Sequence, residues 1–410
     1  QAKRGYANHI LYKGSNESAW AAMYAELLVN FPDMKGFKAE PVFKDGLFAG
    51  KLGEVTTTRA TRTSEIDPKA PYYVIANTSA SAVQAVNKAI SQGKSVYLTD
   101  DGYIVDRDTF ASLLPNYAIY GEALYKVPNG PTLKPLKIYS PNYHYDWTGV
   151  DAPAHTSLVL EKLGFQIVDT PDEADVIVLE NNRFDASIFG KKPTLVIGGE
   201  AMQKLEKLGV LSGFDAEKLK GGSDYEGLMK AIIDDQDPLT SGYKKNALFY
   251  SNSGNWIEKV PSNFKTLMSI ASSDYYIAGW WPKNEVLANK VMAISGELLG
   301  QPLFVYAGNP TNRQHPVHFF RWVTNAIFGS ELATLTDYVP PKDPDRVGVP
   351  IHNQTLVQAV NYQASPAVQK QAKAELLPET GESSSAHFVL SSFLLAVSGG
   401  ILLLKKKEVE

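Results

Sequence analysis

Cysteine is absent from all 410 residues. That absence excludes disulfides, thiolate metal sites and any cysteine nucleophile, and it suits export into an oxidising space. Histidine is scarce: the seven are His9, His144, His155, His315, His318, His352 and His387. None opens a His-x-x-Glu or His-Glu-x-x-His pair, so no helix-borne zinc motif is written in the chain. His315 and His318 stand three apart, but Pro316 between them predicts a helix start rather than a shared ligating face. No metal ligand and no catalytic residue is assigned. There is no Gly-x-Ser-x-Gly elbow, no phosphate-binding loop and no dinucleotide fingerprint. Excess basic charge is missing as well. Forty Lys and Arg against 44 Asp and Glu give a net charge of −4, which makes no electrostatic case for nucleic acid as a partner. The start at Gln1 carries no initiator methionine, apolar signal core or small-residue cleavage site.

What is present is clearest at the C-terminus. Leu377-Pro378-Glu379-Thr380-Gly381 precedes a short polar spacer, an apolar run over 386–404 and then Lys405-Lys406-Lys407. A run of that length spans about one hydrocarbon core as a helix, at roughly 1.5 Å per residue. The three lysines would stop it on the cytoplasmic side. This order of parts resembles the cell-wall sorting signal of sortase substrates from Gram-positive bacteria. The resemblance implies sortase recognition at Leu377 to Gly381, cleavage between Thr380 and Gly381, transient membrane insertion, and attachment of Thr380 to peptidoglycan. It also implies an exported protein, so an export signal is expected upstream of Gln1.

Five segments are expected. Residues 1–69 read as the remnant of an upstream domain and its connection, with a helix from Glu17 to Phe31. Residues 70–134 form a small α/β unit: a strand at Tyr72–Ile75, a helix from Ser79 to Ser91 and a strand at Ser95–Leu98 give a βαβ unit. Ala82, Val83, Val86, Ala89 and Ile90 lie on the helix's apolar side. Residues 135–336 alternate strands with helices, which predicts a doubly wound parallel α/β sheet. Its strands include Leu136–Tyr139, Phe165–Val168, Ala174–Leu179, Thr194–Gly199, Leu248–Tyr250, Tyr275–Trp280 and Leu303–Tyr306. Residues 337–376, with Pro340-Pro341 and an alanine- and glutamine-rich stretch, read as a wall spacer. Residues 377–410 are the sorting signal, with a single transmembrane helix.

Candidate ligand contacts lie in three loops. Tyr143, His144, Asp146 and Trp147 suit stacking on a sugar or peptide side chain, or hinge packing. Ser251 and Asn252 follow a strand, where α/β sheets place ligands, although the same composition makes an ordinary turn. Arg313 and His315 stand in the loop before the last helix. Gly198-Gly199-Glu200 follows a strand and opens a helix, either as an anion-facing helix start or as a tight turn.

Three stretches carry a second resemblance: Tyr73–Asn77 with Ala85–Asn87 and Gly93–Tyr97; Tyr276–Trp280 with Gly300–Leu303; and Gly308–Pro310 with Arg313–His315, running into Phe319–Phe328. Over roughly residues 70–330 the chain resembles the class I glutamine-amidotransferase-like module behind the catalytic domain of carboxypeptidase-A-like zinc metallopeptidases. The missing cysteine rules out glutamine hydrolysis. No zinc ligand carries over, so the resemblance implies a zinc peptidase domain, with its zinc and peptide substrate, upstream of Gln1. On that reading the chain is the non-catalytic C-terminal region of a wall-anchored zinc carboxypeptidase. The alternative is a surface adhesin or a glycan- or peptide-binding protein with no peptidase attached. A hydrolase complete within these residues is the third reading.

Overall fold

The computed structural model describes residues 31 to 329 apart from 38, 40–43, 45, 48, 51–65, 100–101, 127–128, 142, 146–149, 153–154 and 221–224, and without the side chains of 143–145 and 150–152. The chain divides into two units, residues 1–350 and 351–410, and every described residue belongs to the first. The predicted helix from Glu17 lies outside the described residues except for Phe31, which opens a short helix, α1 (Phe31–Lys35).

A four-stranded sheet comes first. Its elements are β1 (Tyr72–Ala76), α2 (Ala80–Ser91), β2 (Val96–Leu98), β3 (Gly102–Asp106), α3 (Arg107–Leu113) and β4 (Gly121–Leu124). Ser79 caps α2 by accepting the Ala82 N–H at 3.3 Å. The apolar positions expected along α2 are all buried. The predicted β1 and β2 form but do not pair. The order is β2-β3-β1-β4, antiparallel at every junction. The cause is the turn at Thr99–Gly102, where the two residues exchange backbone bonds of 2.8 and 3.3 Å. Gly102, at φ +153°, brings its backbone so close to β1 that a Cβ would lie 2.1 Å from the Ile75 carbonyl oxygen. The chain therefore folds straight back, and β3 takes the place beside β1.

The second sheet has twelve strands. Its parallel part is β5 (Lys137–Tyr139), then, after a separate hairpin of β6 (Tyr143–Tyr145) and β7 (Val150–Ala152), helix α4 (His155–Lys162), β8 (Gln166–Val168), β9 (Val176–Leu179), β10 (Thr194–Ile197) and α5 (Gly199–Leu208). The antiparallel part follows: β11 (Asp215–Lys218), β12 (Glu226–Ile233), β13 (Asn246–Ser251), β14 (Asn255–Lys259), β15 (Lys265–Ile270), β16 (Tyr276–Trp280) and β17 (Val291–Leu298). The chain then returns through β18 (Gln301–Tyr306) and ends its described part in α6 (Phe320–Gly329).

Five strands run parallel in the order β18-β10-β9-β5-β8. In the middle, β9 has all four side chains fully buried, each contributing about 1.5–3 kcal/mol. The expected parallel pairing holds only for this half. Strands at 248–250 and 276–280, expected to continue the parallel series, belong to the antiparallel half instead. Parallel pairing needs long crossovers, and the chain from β11 to β18 supplies none. Between β17 and β18 there are only Leu299 and Gly300, at φ +53° and +76°, the backbone of a tight hairpin.

The two sheets are bolted together through α6. Arg321 is buried and donates from Nη1 to the carbonyls of Asn77 (2.6 Å) and Gly242 (2.8 Å). Its guanidinium lies 4.0 Å from the Tyr243 ring centroid. Asn77 donates to Asn325 Oδ1 at 2.8 Å, and Asn325 donates to the Ser241 carbonyl at 2.9 Å. His318 sits against the same guanidinium, with Nδ1 3.4 Å from Nη2. Arginine only donates, so Nδ1 is the acceptor and the ring is neutral. Burial, and then the Arg321 charge, push the imidazole down to about 3.

Candidate functional site

The C-terminal ends of β9, β10 and β18 open into one polar cleft of about 190 Å³. This is where an open α/β sheet binds its ligands. Glu180 follows β9. Gly199 and Glu200 follow β10 at the start of α5. Asn309, Thr311 and Asn312 follow β18. Asn252 and Ser253 come from the turn between β13 and β14, Asn255 opens β14, and His155 and Lys218 complete the lining with Ile197.

Asn309 holds these loops to one another. Its Oδ1 accepts from Ser251 Oγ at 3.2 Å, the Asn252 N–H at 3.3 Å and Ser253 Oγ at 3.4 Å. Asn252 donates to Asn312 Oδ1 at 3.2 Å, and Asn312 donates to Tyr250 Oη at 2.9 Å. Tyr250 in turn donates to Glu226 Oε1 at 2.6 Å. On the other wall the Glu180 carboxylate accepts from the Thr156 N–H at 3.0 Å and from the Thr156 hydroxyl, which also meets Thr311 Oγ1 at 2.8 Å. Desolvation raises the Glu180 pKa, against those hydrogen bonds and the His155 charge. Desolvation raises Glu226 too, against the Tyr250 bond and the Arg313 charge. In both groups the loss of solvation outweighs the hydrogen bonds and raises the pKa.

Gly198, at φ +81°, turns the chain from β10 into α5, so the tight-turn reading of this pair holds. A side chain at Gly198 would meet Asn309 Nδ2 at 2.7 Å, and one at Gly199 would meet Asn255 Nδ2 at 1.9 Å. The strand-to-helix turn, where an α/β hydrolase carries its nucleophile, is thus filled by asparagine from β14. Asn255 is held there by Gln203 Nε2 at 3.2 Å.

Of the sequence-predicted contacts, Asn252 lines the cleft and Ser251 supports it from beneath. Arg313 stands beside it, exposed and at φ +48°, with its N–H 3.4 Å from His155 Nδ1. His315 is exposed and outside the lining. His315 and His318 do not share a helix face, because Pro316 and a 3-10 turn over Val317–Phe319 separate His315 from α6. Tyr143 and His144 lie in the β6–β7 hairpin, but their side chains, like Asp146 and Trp147, are outside the described residues, as is the sorting signal with Leu377 to Gly381 and Lys405 to Lys407. Glu180, Thr311 and Asn312 were not singled out from sequence, and Asn309 only as part of the Gly308–Pro310 stretch, not as a contact. Their only signal is position, just past the end of a buried strand. Among the described residues no group of three His, Cys, Asp or Glu side chains could hold a metal ion. No described helix is long and apolar enough to cross a membrane.

Comparison with known proteins adds two findings. Among solved structures the likenesses are distant and glutamine-amidotransferase-like. A GMP-synthase-type protein from Thermoplasma acidophilum is 17% identical over 48% of this chain and 93% of its own, with a TM-score of 0.34. A glutamine amidotransferase from Thermotoga maritima is 11% identical over 48% and 85%, with a TM-score of 0.29. A ThuA-like protein from Parabacteroides merdae is 11% identical over 51% and 94%, with a TM-score of 0.32. No curated protein sequence matches. The second finding is at the C-terminus, where residues 369–410 match the LPXTG cell wall anchor motif. The chain is accordingly a secreted surface protein, processed by sortase and held covalently in a Gram-positive cell wall.

Proposed function

We propose that this wall-anchored chain presents a binding site for a glycan, and that the polar cleft is that site. The carrying observation is the lining itself: amide, hydroxyl and carboxyl side chains surround the cleft, and Ile197 is its one aliphatic residue. Neighbouring sugar hydroxyls both donate and accept, and so do asparagine, serine and threonine side chains. A peptide ligand would call for apolar side-chain pockets or an open strand edge, and the lining offers no such pocket. The test is a glycan array followed by calorimetry on the full chain. Asn312→Ala should weaken binding about tenfold, the loss of roughly one well-made polar contact. Failure of every saccharide to bind at millimolar concentration refutes the reading.

Anchoring then runs through the pentapeptide. Sortase cuts between Thr380 and Gly381 while the 386–404 run and Lys405 to Lys407 hold the chain briefly in the membrane. The zinc carboxypeptidase parent rests on the sequence resemblance alone. The coding sequence upstream of Gln1 tests it: a His-x-x-Glu with a later histidine supports that parent, and an export signal abutting Gln1 removes it.

A further inference from the structure

The face of the large sheet beneath α6 carries a groove at the end remote from the polar cleft. Lys265 in β15 stands opposite Ser295 in β17, Ser295 opposite Phe304 in β18, and Phe304 opposite Leu195 in β10. Paired residues share a face, so these four make one row across four neighbouring strands. That face is the one α6 crosses, since Trp322 stacks on Tyr306, two residues beyond Phe304, at a centroid distance of 5.5 Å. The row lines a groove of about 520 Å³, and Ala326 and Gly329 of α6 line it as well. Trp322 lies over Tyr306, and Ala326, one turn later, reaches the groove, so α6 runs against β18. The chain leaving Gly329 therefore starts inside the groove.

Two features of the groove ask for an occupant. Its walls are largely apolar, with Phe264 and Pro302 beside Leu195, Phe304 and Ala326. Ser295 is 6% exposed, and its Oγ is buried with no partner among the described residues; a buried hydroxyl is normally hydrogen-bonded. Past Gly329 the chain continues Ser330-Glu331-Leu332-Ala333-Thr334-Leu335-Thr336, and residues up to 350 belong to the same unit as the groove. We infer that residues 330–336 occupy the groove, with Leu332 and Leu335 on its apolar walls and a backbone group of the segment at Ser295 Oγ. Leu332 is three residues beyond Gly329, within about 10 Å even in an extended chain, so no linker is needed to reach. The wall spacer then has a fixed root. Pull arriving from Thr380 meets the docked segment before it meets α6, which carries Arg321 and so the joint between the two sheets.

Amide hydrogen exchange on the full chain tests this. The amides of 330–336 should exchange about a hundredfold more slowly than those of an unprotected chain. Leu332→Asp combined with Leu335→Asp should abolish that protection and leave β9 and β10 protected, which separates undocking from unfolding. The chain has no cysteine, so an introduced pair reports position. Ser295→Cys combined with Leu332→Cys, or with Leu335→Cys, should close a disulfide within one chain under mild oxidation in at least one of the two pairings. Unprotected amides over 330–336 overturn the inference. Protection without a disulfide in either pairing overturns it as well, since the segment would then be folded elsewhere. A disulfide between two chains instead of within one would give the groove to a second copy and overturn it too.

Discussion

Replacing His318 with glutamine should flatten the acid side of the stability profile. In the folded chain the imidazole is held at about 3 by burial and by Arg321, whereas an unfolded histidine titrates near about 6.5. The unfolded state thus binds more protons between those two values, so stability falls as pH drops through that window and is fully present above it. Going from about pH 7.5 to about pH 5 should cost about 2 kcal/mol through this one residue. That figure is insensitive to the folded value as long as it stays below about 4, because the unfolded histidine sets the difference. Glu180 and Glu226, whose pKa values are raised, act with the opposite sign, since folding favours their protonated forms. Exposed His315, which burial and the Lys35 and Arg313 charges also lower, adds a smaller change of the same sign as His318. Only the difference between wild type and His318→Gln isolates the residue. Glutamine retains an acceptor for Arg321 and cannot titrate. Urea unfolding at the two pH values is the assay. If the two proteins lose equal stability on acidification, His318 does not lie buried against the Arg321 guanidinium as described.

Three further outcomes follow from the packing and the anchor. Arg321→Ala should destabilise by about 3–5 kcal/mol in chemical denaturation, because it strips the Asn77 and Gly242 carbonyls of their donor and opens a cavity between the sheets. Gly199→Ala should cost about 1–3 kcal/mol through the clash with Asn255; Gly199→Ala combined with Asn255→Ala should recover part of that, and simple additivity of the two changes would refute the contact. Thr380→Ala should move the protein from the covalent wall fraction to the membrane and medium fractions in cell fractionation, and unchanged wall retention would exclude Thr380 as the attachment residue.

Local sequence determined a good deal. The apolar run at 176–179 could only be a strand covered on both faces, and Ser79 with the spacing of Ala82, Val83, Val86 and Ile90 specified α2. The LPXTG pentapeptide with its apolar and basic followers located the protein at the cell wall without reference to any fold, because sorting is read from a linear signal. Strand partners were another matter. Nothing in the local pattern of 248–250 or 276–280 says parallel or antiparallel, and the decision lay with connections such as Leu299–Gly300, whose left-handed backbone shows only once folded. The insertion of β3 beside β1 depended likewise on how closely Gly102 lets two backbones approach. The cleft was the least legible part. Glu180, Asn252 and the Asn309–Asn312 loop are far apart in sequence, and each alone reads as ordinary loop. Parallel pairing of β9, β10 and β18 brings their C-terminal ends to one place, and only that tertiary arrangement turns scattered polar side chains into a single site.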